Sequence, residues 1–208
     1  MDIIGMGAQY KVVDTHDGRV RKLPLTPAES QAVVESWYAP AKAPAEDLAT
    51  DYRQLALESC ANVQTLLGRY PALRPSFGNP VFEGNGVYTQ DKVPLLGEAL
   101  AHSSLQDGKK LVDRFIELVL LHWNYGISER VFNCTINNGV ARDNTIVLLD
   151  FGEITTDKQQ VARAIAAQTW LHSMSYTRDL PRQLKTYYQH SLADRLTLQT
   201  LEAHWGRH

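Results

Sequence analysis

Apolar and polar positions change period along this chain. They alternate in short runs first, then recur every three or four residues. Ile3-Ile4, Tyr10-Lys11-Val12-Val13 and Arg19-Val20-Arg21-Lys22-Leu23 are β-favouring runs separated by Gly5-Met6-Gly7 and by the turn pair Asp17-Gly18, which predicts three strands. Thr26-Pro27-Ala28-Glu29 predicts a helix start, with Thr26 as N-cap, Pro27 at the first helical position and Glu29 completing a capping box. Residues 31–47, with Pro40 and Pro44, read as broken and loop-like at their centre. From Ala45 to about Arg69 helical spacing returns through Leu48, Tyr52, Leu55, Ala56, Val63, Leu66 and Leu67.

Pro71, Pro75, Gly78 and Pro80 mark turns, and Asn85-Gly86 between two apolar runs signals a hairpin. After Val93-Pro94 a long helix is predicted through Leu111, Phe115, Leu118, Val119 and Trp123, ending at Gly126 as its cap. Two short strands are expected at about 132–136 and 145–149, with Asn137-Asn138-Gly139 as the turn between them. The remainder, from about Lys158, reads as helical. Strands come first and helices dominate later, so the predicted class is α+β, with a hinge near residues 91–95.

Composition narrows the options. The 208 residues are 44% hydrophobic and 21% charged, enough for a sizeable core. A net charge of -2 advertises neither a nucleic-acid nor a membrane surface, and no apolar run approaches the roughly 20 residues that span a bilayer. Cys60 and Cys134 are too few and too far apart for a disulfide framework or a zinc site. A cytoplasmic protein in a reducing compartment is expected.

Several residues carry candidate chemistry. Gly5 and Gly7 read either as a simple turn or as a loop that lets backbone N–H groups approach a phosphate. Lys22 reads either as an edge lysine in water or as an inward ammonium needing an anionic partner; its neighbour Arg21 faces the opposite way. Glu58, mid-helix among apolar neighbours, is either solvated or a partner for Lys22, with Glu46 and Asp51 as competitors on the same helix. Asp150 ends the run Ile146-Val147-Leu148-Leu149 and precedes Phe151-Gly152, so it caps a turn or ligates a cation. With Asn133 it offers the oxygen chemistry that Mg²⁺ prefers. His122 reads as a packing residue at the end of its helix.

In this order, glycine loop, strand lysine, helix glutamate, hinge, helix, loop asparagine and Asp-Phe-Gly, the chain resembles the protein-kinase-like superfamily over about residues 3–155. The resemblance implies a bilobal fold, with a β-rich N-lobe over 1–92 and a reduced helical C-lobe over 93–208. It implies ATP and Mg²⁺ as cofactors: Gly5 and Gly7 at the phosphates, Lys22 on the α/β-phosphates, Glu58 orienting Lys22, and Asn133 with Asp150 on the metal. Residues 88–94, with Gln90 and Asp91, would take the adenine through their backbone.

Two features depart from the superfamily pattern. No His-Arg-Asp is present, and Ser128 falls where the proton-accepting Asp belongs, so either Glu129 substitutes or no base operates. General-base assistance is worth about 10²–10⁴ in rate, which makes a slow or altered enzyme the expectation. No Ala-Pro-Glu follows Asp-Phe-Gly, and the helical half is short, which favours a small-molecule acceptor over a peptide. The resulting expectation is an atypical phosphotransferase, with a pseudokinase acting through a partner as the alternative and a nucleotide-free interaction module as a weaker third.

Overall fold

The alternating runs at the start of the chain form β1 (Asp2–Met6), β2 (Tyr10–Asp14) and β3 (Arg19–Pro24) in the computed structural model, which describes residues 2–38, 45–172, 177 and 180–208. Helices α1 (Pro27–Tyr38) and α2 (Ala45–Arg69) follow, then a 3₁₀ segment (Pro71–Phe77) and the hairpin β4 (Val81–Gly84) and β5 (Val87–Asp91). The five strands make one antiparallel sheet in the order β1-β2-β3-β5-β4. Asn85 and Gly86 both take positive φ, as a tight two-residue hairpin turn demands. Residues 31–38 correct the expectation of a broken stretch, because α1 runs to Tyr38, two positions before Pro40. The loop expected at the centre of that stretch lies outside the described residues.

The capping box at α1 is complete. Glu29 Oε2 accepts from the Thr26 N–H at 2.9 Å, and Thr26 Oγ1 accepts from the Glu29 N–H at 3.3 Å. Lys11 Nζ stands 2.6 Å from Glu29 Oε1. The Lys11 bond first, and the Thr26 bonds after it, pull the Glu29 pKa from 4.5 to about 2. Folding therefore favours the carboxylate: its contribution is whole above about pH 4.5 and disappears as pH falls through about 2. Glu29→Gln is expected to flatten the stability–pH curve in that window alone, measured by urea midpoints at a series of pH values.

The chain divides into two compact units, Met1–Lys92 with Phe151–Glu153, and Val93–Asp150 with Ile154–His208. In the first unit the buried stripe of α2 is Ala49, Ala56, Cys60, Val63 and Leu67, which recurs at helical spacing. An aromatic group completes that core. Phe151 stacks on Tyr88 with centroids 4.5 Å apart at 11°, and meets Phe77 edge-on at 5.7 Å.

The second unit is built on α4 (Leu105–Asn124), preceded by α3 (Leu96–His102). Helix α4 is capped at its start by Ser104, and its end matches the expected glycine cap. Gly126 takes φ +70°, its N–H donates to Trp123 O at 2.9 Å, and the Ile127 N–H donates to His122 O at 3.2 Å. That pattern satisfies the last carbonyls of the helix. Short strands β6 (Ser128–Glu129), β7 (Asn138–Val140), β8 (Ile146–Leu148) and β9 (Ile154–Thr155) pair as β6-β9 and β7-β8. Helices α5 (Lys158–Ala166), α6 (Thr169–His172), α7 (Arg182–Arg195) and α8 (Leu198–His204) close the chain.

Two expectations fail here. Residues 132–136 are not a strand, and Asn138-Gly139 is strand rather than turn. The turn lies instead at Ala141–Thr145, where Asn144 takes φ +63° and Asp143 accepts from the Thr145 N–H at 3.0 Å. An Asp-Asn pair makes the same turn chemistry as Asn-Asn-Gly, and only the strand pairing tells them apart. The architecture is mixed α+β. Among the described residues no helix is long and apolar enough to cross a membrane.

Candidate functional site

In the first unit, β3 alternates as expected. Val20 and Lys22 are buried, whereas Arg19 and Arg21 reach the other side and pair with Asp91 and Glu83 at 2.9 and 2.6 Å. Lys22 is only 8% exposed, opposite Val12 on one neighbouring strand and Tyr88 on the other. Burying an ammonium is costly unless an anion accompanies it.

Glu58 is corrected. It is exposed and accepts from Gln54 Nε2 at 2.8 Å, so it does not reach Lys22. The reason is helical phase: Glu58 lies two residues past the buried Ala56, about 200° around the helix from the face that meets the sheet. Asp51 is exposed as well, and the side chain of Glu46 lies outside the described residues.

Neither Gly5 nor Gly7 takes a left-handed φ. A Cβ on Gly5 would make ordinary contact with Val12, and one on Gly7 would meet nothing within 4 Å. The fold itself therefore does not require glycine at either place.

At the end of β5 the backbone is largely committed. The Asp91 N–H donates to Gly78 O at 2.8 Å and the Lys92 N–H to Gly18 O at 2.9 Å. The Asp91 carboxylate takes Arg19 and Asn79. The expectation that this stretch receives a base through its backbone is corrected at those two amides. Gln90 differs: it is 1% exposed, and its buried Oε1 has no partner among the described residues. Such an atom costs about 1–3 kcal/mol. Gln90→Met is expected to raise the stability of the free protein by about 1 kcal/mol, read as a higher urea midpoint. A lower midpoint would show that the carboxamide is satisfied in solution.

In the second unit Ser128 and Glu129 are both buried. Ser128 Oγ accepts from Trp123 Nε1 at 3.0 Å and donates to Glu129 O at 2.9 Å, which explains its presence structurally. Glu129 lines a small interior cavity of about 10 Å³ with His122, Ser128 and Asn138 and with apolar residues of α4 and β8. A space of that size holds about one water molecule. Burial pushes His122 down to about 3, so its ring is neutral. Burial, and then the Glu129 charge, push the Cys134 thiol far up. This is interior chemistry, and it removes Glu129 from the role of an accessible base. No carboxylate occurs in residues 130–137.

That loop is held under strain. Phe132 takes φ +50°, a region costly for a bulky side chain. Its ring packs edge-on against Trp123 and Trp170, and its carbonyl accepts from Tyr188 Oη at 2.6 Å.

Asn133 is buried. Its Oδ1 accepts from Thr135 N–H at 3.2 Å and Thr135 Oγ1 at 3.0 Å, closing a local turn. The main-chain carbonyl of Asn137 meets the end of β8. The register Asn138↔Leu148 and Gly139↔Val147 carries Asn137 to the level of Leu149, and Asn137 O accepts both Leu149 N–H at 2.7 Å and Asp150 N–H at 3.1 Å. Asn137 is 6% exposed, and its carboxamide makes no hydrogen bond among the described residues. The signal missed in the sequence was the Asp143-Asn144 turn, which alone sets that register.

No protein-family model matches the chain, and no curated protein matches it.

Proposed function

We propose that the protein is an ATP- and Mg²⁺-dependent phosphotransferase of reduced, kinase-like bilobal fold. In this reading residues 1–92 act as the N-lobe, residues 93–208 as the C-lobe, and a small molecule is the acceptor favoured over a peptide. The observation that carries the reading is Asp150, an acid at the end of the β7–β8 hairpin whose main-chain N–H is held by the Asn137 carbonyl. Its carboxylate, with Asn133 as the second oxygen donor, would suit Mg²⁺. Bound there, Mg²⁺ would neutralise charge on nucleotide phosphates. Buried Lys22 supplies the cation for the phosphates, and the open space at Gly7 would let them approach the glycine loop. Residues 88–94 would take the adenine through backbone groups other than the Asp91 and Lys92 amides, which the fold already engages.

A second reading is favoured by one observation. With Ser128 and Glu129 buried and no acid in residues 130–137, this loop has no group to accept a hydroxyl proton. Nucleotide binding without transfer, as in a pseudokinase, follows if positioning alone does not lower the barrier enough.

Thermal unfolding with ATP, with and without MgCl₂, tests the binding that both readings share. Stabilisation by ATP only when Mg²⁺ is present supports it; an identical midpoint under all conditions overturns it. Release or transfer of labelled γ-phosphate then separates enzyme from pseudokinase.

A further inference from the structure

The loop between β1 and β2 is tied down at successive residues. The Gly7 N–H donates to Tyr10 O at 2.9 Å, Ser30 Oγ donates to Ala8 O at 3.2 Å, and the Leu25 N–H donates to Gln9 O at 3.0 Å. The backbone of Gln9 is therefore fixed, and its side chain is presented in one direction. That side chain is 8% exposed, and its Nε2 donates to Gly152 O at 3.0 Å. A Cβ built on Gly152 would overlap the Gln9 carboxamide, so a side chain at 152 would require that carboxamide to move.

Packing alone does not call for a carboxamide. An apolar side chain of similar volume would fill the same space, and a buried amide is costly unless bonded. What the amide adds is a directed bond to the carbonyl two residues beyond Asp150. The ring between them, Phe151, is held separately by its stack on Tyr88. The segment 151–153 is thus restrained at two consecutive residues by different forces.

We infer that Gln9 is a positioning residue for the metal-binding carboxylate: by holding Gly152 it fixes the backbone that aims Asp150, without itself touching metal or nucleotide. This rests on the metal-binding reading of Asp150 given above. Outer-shell partners that orient a ligand are typically worth about 10–100-fold in metal affinity.

Two measurements on the full chain test it. The first is a stability cycle in the absence of nucleotide, with Gln9→Ala, Gly152→Ala and the double variant. Alanine at 152 collides with Gln9 in the wild type but not once Gln9 is shortened. The loss of unfolding midpoint caused by Gly152→Ala should therefore be at least halved in the Gln9→Ala background. Equal losses in both backgrounds overturn the clamp.

The second is a titration with MgCl₂ at fixed ATP, followed by thermal shift, for wild type, Gln9→Ala and Gln9→Leu. Leucine keeps the volume but cannot donate, so both variants should lose about tenfold or more in apparent Mg²⁺ affinity. Wild-type affinity in Gln9→Leu overturns the positioning role even if the stability cycle couples. A wild type that shows no Mg²⁺-dependent ATP binding overturns the proposed function and the positioning role together. The stability cycle then still reports whether the contact exists, so the two failures are told apart.

Discussion

Replacement of Asp150 by alanine is expected to abolish the Mg²⁺-dependent stabilisation by ATP entirely. At ligand concentrations a hundredfold above Kd that stabilisation amounts to about 2.7 kcal/mol. Asp150→Asn should lose it almost as completely, because it keeps the shape and removes the charge that holds a divalent ion. Two asparagine variants locate the second oxygen ligand. Asn133→Ala should cost stability, because its oxygen closes the turn at Thr135, and loss of the Mg²⁺ dependence in that variant but not in Asn137→Ala would assign the ligand to Asn133.

The largest effect on stability is expected at Phe151. The ring is fully buried, stacked on Tyr88 and flanked by Phe77 and Phe82 within the first unit. Truncating such a side chain removes its transfer free energy and leaves a cavity, so Phe151→Ala should cost about 3–5 kcal/mol. Phe151→Leu keeps most of the volume but forfeits the stack and should cost clearly less. Urea unfolding of the two variants measures both. A loss below about 1 kcal/mol for the alanine variant would show that this ring is not part of the aromatic core. The same ring and the Gln9 clamp explain why a segment so close to Asp150 belongs with the first unit rather than with the residues on either side of it.

Much of the secondary structure was legible without coordinates. Thr26 and Glu29 announce their helix because both halves of the capping box lie within one turn. Asn85-Gly86 announces its hairpin because two positive φ angles favour those residues. The bounds of α2 and the glycine cap of α4 were readable for the same reason: apolar spacing and backbone preference act over a few residues. The sequence was less informative between residues 127 and 155. There the strands are two or three residues long, so periodicity has too few positions to register. The turn residues Asn137-Asn138 and Asp143-Asn144 compete on equal terms.

Within the candidate site the same division holds. Lys22 as the inward member of its strand, with Arg21 facing the other way, followed from simple alternation. Glu58 misled because helical neighbours alone do not say which face meets the sheet; that phase is set by where Ala56, Cys60 and Val63 pack. Glu129 misled because burial of a carboxylate is decided by residues far along the chain, here Phe115, Leu118 and Leu148 around one small cavity.

The sequence by itself determined the α+β class, the antiparallel strands at the start of the chain, the limits of α2 and the inward lysine of β3. Those are consequences of local sterics, hydrogen bonding and alternation. Only the tertiary structure decided that the Asn137 carbonyl receives the Leu149 and Asp150 amides, that Glu58 turns to water, and that Gln9 reaches Gly152. Each of these depends on strand register, helix phase or a contact between distant residues, and none of those quantities is carried by a short stretch of chain.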